Sequence, residues 1–226
     1  DDALYTAYGD GNGFEPFVPT KLSLGLAKVT GVPPDIRGVN LRSATAEALG
    51  DGQRGRKASG LLCVDVVLYL LVRNAGNAQL GWSADHGATW IWANWKFTES
   101  FGCPTFLNFG PNYTGARDNF VYVYSHDSES AYERANRFVM ARAPKDQLRE
   151  RSAWEFFVHL DGNGQPSWSK NITERGAVFT NPSACYRSTI SYHPVLRRYL
   201  WCQTGLGNDT RFSGGFAIYD APEPWG

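Results

Sequence analysis

Residues 83–90 read Ser-Ala-Asp-His-Gly-Ala-Thr-Trp, which fits the pattern Ser-x-Asp-x-Gly-x-Thr-Trp at all five defined positions. These residue types suit one local structure. Asp85 accepts hydrogen bonds from its own turn, Gly87 takes positive φ, and Trp90 anchors the strand that follows. A turn of this kind joins two strands, so the octapeptide commits its surroundings to β structure. It speaks about fold before chemistry, and the functional residues must be sought elsewhere in the chain.

The rest of the chain agrees. Strand-like segments recur throughout, and helical periodicity is confined to short stretches at residues 44–49, 130–136 and 145–151. The chain has 13 Phe, 11 Tyr, 8 Trp and 24 Gly among 226 residues, a composition suited to short strands and tight turns. Strands are predicted in four groups. The first holds residues 4–8 and 22–29. The second holds 60–64, 67–72, 80–83 and 89–95. The third holds 104–109, 120–125, 138–143 and 154–160. The fourth holds 186–192, 198–203 and 215–219. The groups start about 40 to 60 residues apart, as the blades of a β-propeller do. Residues 161–181 read as a further, degenerate unit. The expected fold is therefore all-β: a single β-propeller domain over residues 1–226, with at least four four-stranded units and five blades in the ring. A β-sandwich is the alternative. The first group lacks an innermost strand and the last an outermost one, so the ring is expected to close through its termini. Both ends stop abruptly, and the chain is read as truncated there.

Composition excludes several classes. Lys+Arg and Asp+Glu both number 22, which argues against a nucleic-acid partner. No apolar run approaches the ~18 residues of a membrane span. Cys63, Cys103, Cys185 and Cys202 lack metal-type spacing, so neither a metal nor a cofactor is expected. Cys185 and Cys202 are either bridged or buried as free thiols. Sequons at Asn112, Asn171 and Asn208 point to a secreted protein. A monomer is expected.

The 83–90 octapeptide resembles the Asp box of sialidase-like β-propellers, which lies between the third and fourth strands of a blade, away from the ligand. Several other segments carry a second resemblance. They include Tyr5-Thr-Ala-Tyr-Gly-Asp-Gly-Asn-Gly-Phe14, Lys21-Leu-Ser-Leu-Gly25, Phe101-Gly-Cys-Pro-Thr-Phe-Leu-Asn-Phe-Gly110 and Gly115-Ala-Arg-Asp-Asn-Phe-Val-Tyr-Val-Tyr-Ser125. Trp154-Glu-Phe-Phe157, Arg197-Arg-Tyr-Leu-Trp201 and Tyr219-Asp-Ala-Pro-Glu-Pro-Trp-Gly226 complete the set. Together they are similar to the microbial domain-of-unknown-function propeller family that includes the endo-D-arabinanase glycoside hydrolases. The resemblance implies a propeller that acts on, or binds, extracellular polysaccharide. An arginine triad with a Tyr–Glu pair is not identifiable, so sialidase chemistry is not supported.

In a propeller, the starts of first strands and the loops joining second to third strands share one face. That filter selects Asp10 and Asp127 as candidate catalytic carboxylates, since glycoside hydrolysis needs two. Glu129 shares the loop of Asp127. Lys57, Arg73, Tyr186, Arg187 and Arg211 are the candidate substrate-binding residues, with Ser59 and Asn74 beside them. Arg117, Asp118, Glu155, Asp220 and Glu223 fall elsewhere and read as structural. A hydrolase is the first expectation. The alternatives are a non-catalytic glycan-binding propeller and a polysaccharide lyase drawing on Tyr186, Arg187, Tyr192 and His193.

Overall fold

The computed structural model describes residues 3–204 and 215–226. The described chain is all-β, with only short 3-10 turns between strands. It divides into two compact units, Asp1–Lys96 and Phe97–Gly226.

The first unit contains two antiparallel sheets. Strands β1 (Leu4–Tyr8), β2 (Gly25–Val32) and β3 (Asp35–Leu41) form a three-stranded meander. The four-stranded sheet runs β4 (Lys57–Val64), β5 (Val67–Arg73), β6 (Gln79–Ser83) and β7 (Ile91–Lys96) in order. Asp65 and Val66 both adopt positive φ, 48° and 67°, and turn β4 into β5 within two residues. Leu24 and Leu26 pack with Leu68, Leu70, Val72 and Trp90 into the core of this unit. Tyr8 lies across Gly25, where an added Cβ would stand 2.2 Å from the ring. Strand β3 was not expected. It is an edge strand with Ile36 exposed, and Pro33-Pro34 and Gly38 interrupt the alternation that would reveal it.

The 83–90 turn joins β6 to β7. Asp85 accepts from the Thr89 amide (2.9 Å) and hydroxyl (2.6 Å) and from the Ser83 hydroxyl (2.8 Å). The Ser83 hydroxyl in turn accepts from the Gly87 amide at 2.9 Å, and Gly87 takes φ 88°. Trp90 is buried and donates from Nε1 to the Gly87 carbonyl at 3.1 Å. The Thr89 hydroxyl, then its amide and the Ser83 hydroxyl, hold the Asp85 carboxyl down to about 2. The turn is therefore fully supported above the ordinary aspartate value of about 3.9 and loses its acceptor as the pH falls through about 2. Asp85→Ala is expected to lower the thermal midpoint at neutral pH and to flatten its dependence on pH between about 4 and 2. Unfolding curves recorded across that range check this.

The second unit holds β8 (Thr105–Asn108), β9 (Phe120–His126), β10 (Ala135–Pro144), β11 (Glu155–Leu160), β12 (Pro166–Ser169), β13 (Phe179–Cys185), β14 (Ser188–His193), β15 (Arg198–Thr204) and β16 (Phe216–Ala221). They form one sheet in the order β12-β11-β10-β9-β8-β14-β15-β16, with β13 paired to β10. Two meanders, β8 to β12 and β14 to β16, meet where β8 and β14 run parallel, with Leu107 opposite Ile190. The 161–181 segment does not build a sheet of its own: β12 pairs with β11, and β13 pairs with β10. Neither 44–49 nor 130–136 is helical: residues 44–46 form a turn before Ala48 bridges Leu24, and residues 131–132 form a turn before β10 begins at Ala135. The 145–151 segment contains a 3-10 turn rather than an α-helix. Aromatic rings dominate the packing. Phe138 meets Trp201 edge-on at 4.4 Å, and Phe97 stacks on Phe101 at 4.7 Å. All four cysteines are free thiols, so Cys185 and Cys202 are not bridged. Among the described residues, no helix is long and apolar enough to cross a membrane.

Candidate functional site

Two clusters of charged side chains gather the predicted residues, one in each unit. In the first unit, β1 ends at Tyr8 and the chain turns sharply at Asp10, whose φ is 54°. Lys57 opens β4 and Arg73 closes β5. The two are directly opposed in the antiparallel register, so their side chains leave the same face of the sheet. The Lys57 ammonium donates to the Asp10 carboxylate. Its side chain is only 7% exposed, against 34% for Asp10. A charge this deep needs its partner, because an unpaired buried ammonium costs several kcal/mol (~3–5). Lys21 and Asp51 form a second, exposed pair at 2.5 Å. The Asn74 side chain donates to the Gly55 carbonyl at 2.8 Å and fixes the loop after Arg73 against the approach to β4. The Ser59 hydroxyl donates to the Leu71 carbonyl at 3.2 Å, a structural role.

In the second unit, Asp127 directly follows β9. Its carboxylate accepts from Arg137 Nε at 2.6 Å and from Arg175 Nε at 2.8 Å, one arginine on each oxygen. Arg175 also donates from Nη1 to the Ile172 carbonyl (3.0 Å) and to Glu99 (3.4 Å). The Asp127 side chain is 10% exposed. Burial pushes its carboxyl up, but hydrogen bonds from Ser100, Arg175 and Arg137 outweigh that and hold it below the usual value. Asp127 is thus an ionised carboxylate at neutral pH. Its loop is pinned from beneath by Gly102, which donates to the Ser128 carbonyl at 2.8 Å. A Cβ at Gly102 would stand 2.4 Å from the Glu129 carbonyl, so only glycine allows this approach. Gly102→Ala is expected to displace the loop and to cost about 2 kcal/mol through this overlap, read as a lowered unfolding midpoint.

The same loop receives Tyr186 and Arg187, which lead into β14. Arg187 donates from Nε to the Ala131 carbonyl at 2.9 Å. Its guanidinium lies over the Tyr132 ring at 4.7 Å and the Tyr186 ring at 5.0 Å. His126 is buried beside Tyr186, with ring centroids 5.9 Å apart, and donates from Nε2 to the Ser130 carbonyl at 2.8 Å.

The structure therefore brings Asp10, Lys57 and Arg73 together in one unit and Asp127, Tyr186 and Arg187 together in the other. Arg211 and the Asn208 sequon lie outside the described residues. Glu129 is exposed. The residues missed from sequence are Ser100, Glu99, Arg137 and Arg175. Arg137 carries a usable signal, since it stands near the start of the strand that follows the Asp127 loop; its carbonyl accepts the Asp127 amide at 3.0 Å across the β9–β10 connection. Arg175 carries none, because its segment has no periodicity.

The four lyase candidates do not form a group. Tyr186 and Arg187 precede β14, whereas Tyr192 and His193 end it, roughly 20 Å further on at the rise of an extended strand. Tyr192 packs on Phe109 and Tyr199, and His193 accepts from the Leu196 amide. The residues read as structural each have an ion-pair partner. Arg117 pairs with Asp118 and Glu223 and stacks on Trp225, Glu155 pairs with Arg142 and Lys170, and Asp220 pairs with Arg198.

No family model matches the chain, and no curated protein matches it in sequence. Its fold does match solved structures. The α-L-arabinofuranosidase of Podospora anserina, solved with cellotriose, superposes with a TM-score of 0.52 at 12% identity, covering 99% of this chain and 61% of that one. A candidate hydrolase of Bacteroides ovatus gives 0.56 at 13% identity, covering 100% and 64%. The GH43_1 enzyme of Xanthomonas citri gives 0.52 at 12% identity, covering 100% and 69%. The chain thus spans 61% and 64% of the length of the first two. At this identity the likeness concerns fold alone: the described chain is all-β and superposes on β-propeller glycosidases.

Proposed function

We propose that this protein is a secreted, monomeric, carbohydrate-active propeller that hydrolyses glycosidic bonds in a polysaccharide. In this reading residues 1–226 form one domain of a five-bladed ring, and residues 83–90 are the Asp box of one blade. What supports a bladed reading is that β4 to β7 form a four-stranded antiparallel meander and that β1 to β3 and β14 to β16 form three-stranded ones; the fifth blade has no sheet of its own among the described residues. Asp10 and Asp127 are the required carboxylates. Lys57, Arg73, Tyr186 and Arg187 contact the sugar.

The observation that carries the proposal is the state of Asp127. A carboxylate that is nearly buried yet held ionised by two arginines suits the partner that activates water or attacks the anomeric carbon. It does not suit the partner that delivers a proton. For Asp10 to deliver one, the Lys57 ammonium must release it when sugar binds. The Lys57–Asp10 pair is also the specific observation favouring a second reading, a glycan-binding propeller in which neither carboxylate transfers a proton.

Release of reducing ends from arabinan and xylan tests both. Asp10→Asn is expected to lower kcat/KM by about 100-fold or more. Because it leaves the nearly buried Lys57 ammonium without its countercharge, it is expected to lower the unfolding midpoint as well, so turnover is compared on protein shown by its unfolding curve to be folded. Unchanged turnover in that variant removes Asp10 from the chemistry. Sugar binding by the intact protein with no turnover selects the binding reading.

A further inference from the structure

Residues 9–21 connect β1 to the approach of β2 and carry two phenylalanines at the surface. Phe14 is 39% exposed and Phe17 59%. A single exposed apolar side chain is ordinary. These two differ because the loop that presents them is braced on every side. Gly11 and Leu22 exchange both backbone hydrogen bonds, at 3.2 and 2.9 Å. The Val18 amide donates to the Asn12 carbonyl at 2.9 Å, and the Asn12 side chain donates back to the Val18 carbonyl at 2.7 Å. Asn40 on β3 accepts from the Phe14 amide and donates to the Phe14 and Pro16 carbonyls, at 2.8, 2.7 and 3.1 Å. Phe14 rests on Gly38, where a Cβ would meet its ring at 2.4 Å.

Folding has thus already met the entropy of ordering this loop, and Val18, not Phe14 or Phe17, is the apolar residue it buries. The same loop contains Asp10. Asn12 lies two positions after Asp10, at most about 7 Å along the chain. Asn12 is bonded directly to Val18, the neighbour of Phe17. One rigid loop therefore offers an exposed aromatic surface and a carboxylate backed by a buried ammonium. A sugar ring has the complementary chemistry: hydroxyls for the charged pair and a C–H face for the aromatic ring.

We propose that residues 9–21 form a sugar-stacking subsite, in which Phe17 packs on the C–H face of a neutral sugar ring and Phe14 extends the surface. This rests on the carbohydrate reading above but not on hydrolysis. Isothermal titration of the full chain with cellotriose and with xylotriose tests it. Phe17→Ala and Phe17→Leu are each expected to weaken binding roughly ten-fold, since leucine keeps apolar area but has no ring face, and Phe17→Trp to retain it. The exposure of Phe17 predicts unchanged unfolding midpoints for all three. Equal affinity in Phe17→Ala overturns the subsite, as does absence of binding to either sugar by the intact protein. The two proposals fail separately. Phe17-dependent binding without turnover sinks only the hydrolase. Turnover with an unchanged KM in Phe17→Ala sinks only the subsite.

Discussion

Asp127→Ala is expected to destabilise the second unit by about 3 kcal/mol and to lower its thermal midpoint by roughly 6–12 °C. The cause is what the substitution leaves behind. Arg175 is mostly buried and keeps only Glu99 and a backbone carbonyl, while Arg137 loses its carboxylate. Two guanidiniums that shared one acidic group then repel each other across a vacant space. Arg137 is partly exposed, which places the cost at the lower end of the range for a broken buried pair. The pH dependence has a definite sign. Because hydrogen bonds hold the folded carboxyl below its ordinary value, the stabilisation is complete above about pH 4 and is lost as the pH falls through the lowered value. Wild type should therefore lose stability on acidification below pH ~4, and Asp127→Asn should lose less over the same interval. Denaturation monitored at neutral and acidic pH checks both statements. Parallel acid sensitivity in the two proteins would show that the carboxylate is not what the arginines stabilise.

Trp154→Ala is expected to cost more, about 4 kcal/mol. Trp154 is fully buried, meets Phe97 edge-on at 5.5 Å and donates from Nε1 to the Leu148 carbonyl at 3.0 Å. Truncation opens a cavity lined by Phe97 and its stacked neighbour Phe101, and deprives a buried carbonyl of its donor. Trp154→Phe should recover roughly half the loss, because a ring refills part of the space without restoring the hydrogen bond. Chemical denaturation of the three proteins measures this. A loss below about 1 kcal/mol for the alanine variant would mean that the surrounding rings collapse into the space.

Local elements were legible in the sequence wherever the signal was complete within a few residues. Strand β1 was placed at its observed bounds, and β5 and β9 within one residue, because each is a short apolar run bounded by turn residues. The 83–90 turn was legible as a turn in which Asp85 accepts from its own residues, Gly87 takes positive φ and Trp90 anchors the next strand. The structure supplies the donors, Ser83 and Thr89, and the bond from the Gly87 amide to Ser83. Strand β3 was not legible, because an exposed edge strand places few demands on its side chains. The 161–181 segment looked like a unit of its own, and only pairing shows that its strands extend a sheet already begun.

The candidate site divides the same way. The end of the strand on which Asp10, Lys57, Arg73, Asp127 and Arg187 sit follows from strand order alone. Their partners do not. Lys57 is 47 residues from Asp10, and Arg175 is 48 from Asp127. Nothing local distinguishes these cations from the remainder of the 22. By itself the sequence determined an all-β chain with a self-bonded turn at 83–90, because alternation and turn chemistry act over neighbours. Only the tertiary structure decided which charges are buried and paired, because desolvation depends on what the fold packs around a side chain and not on the residues beside it in the chain.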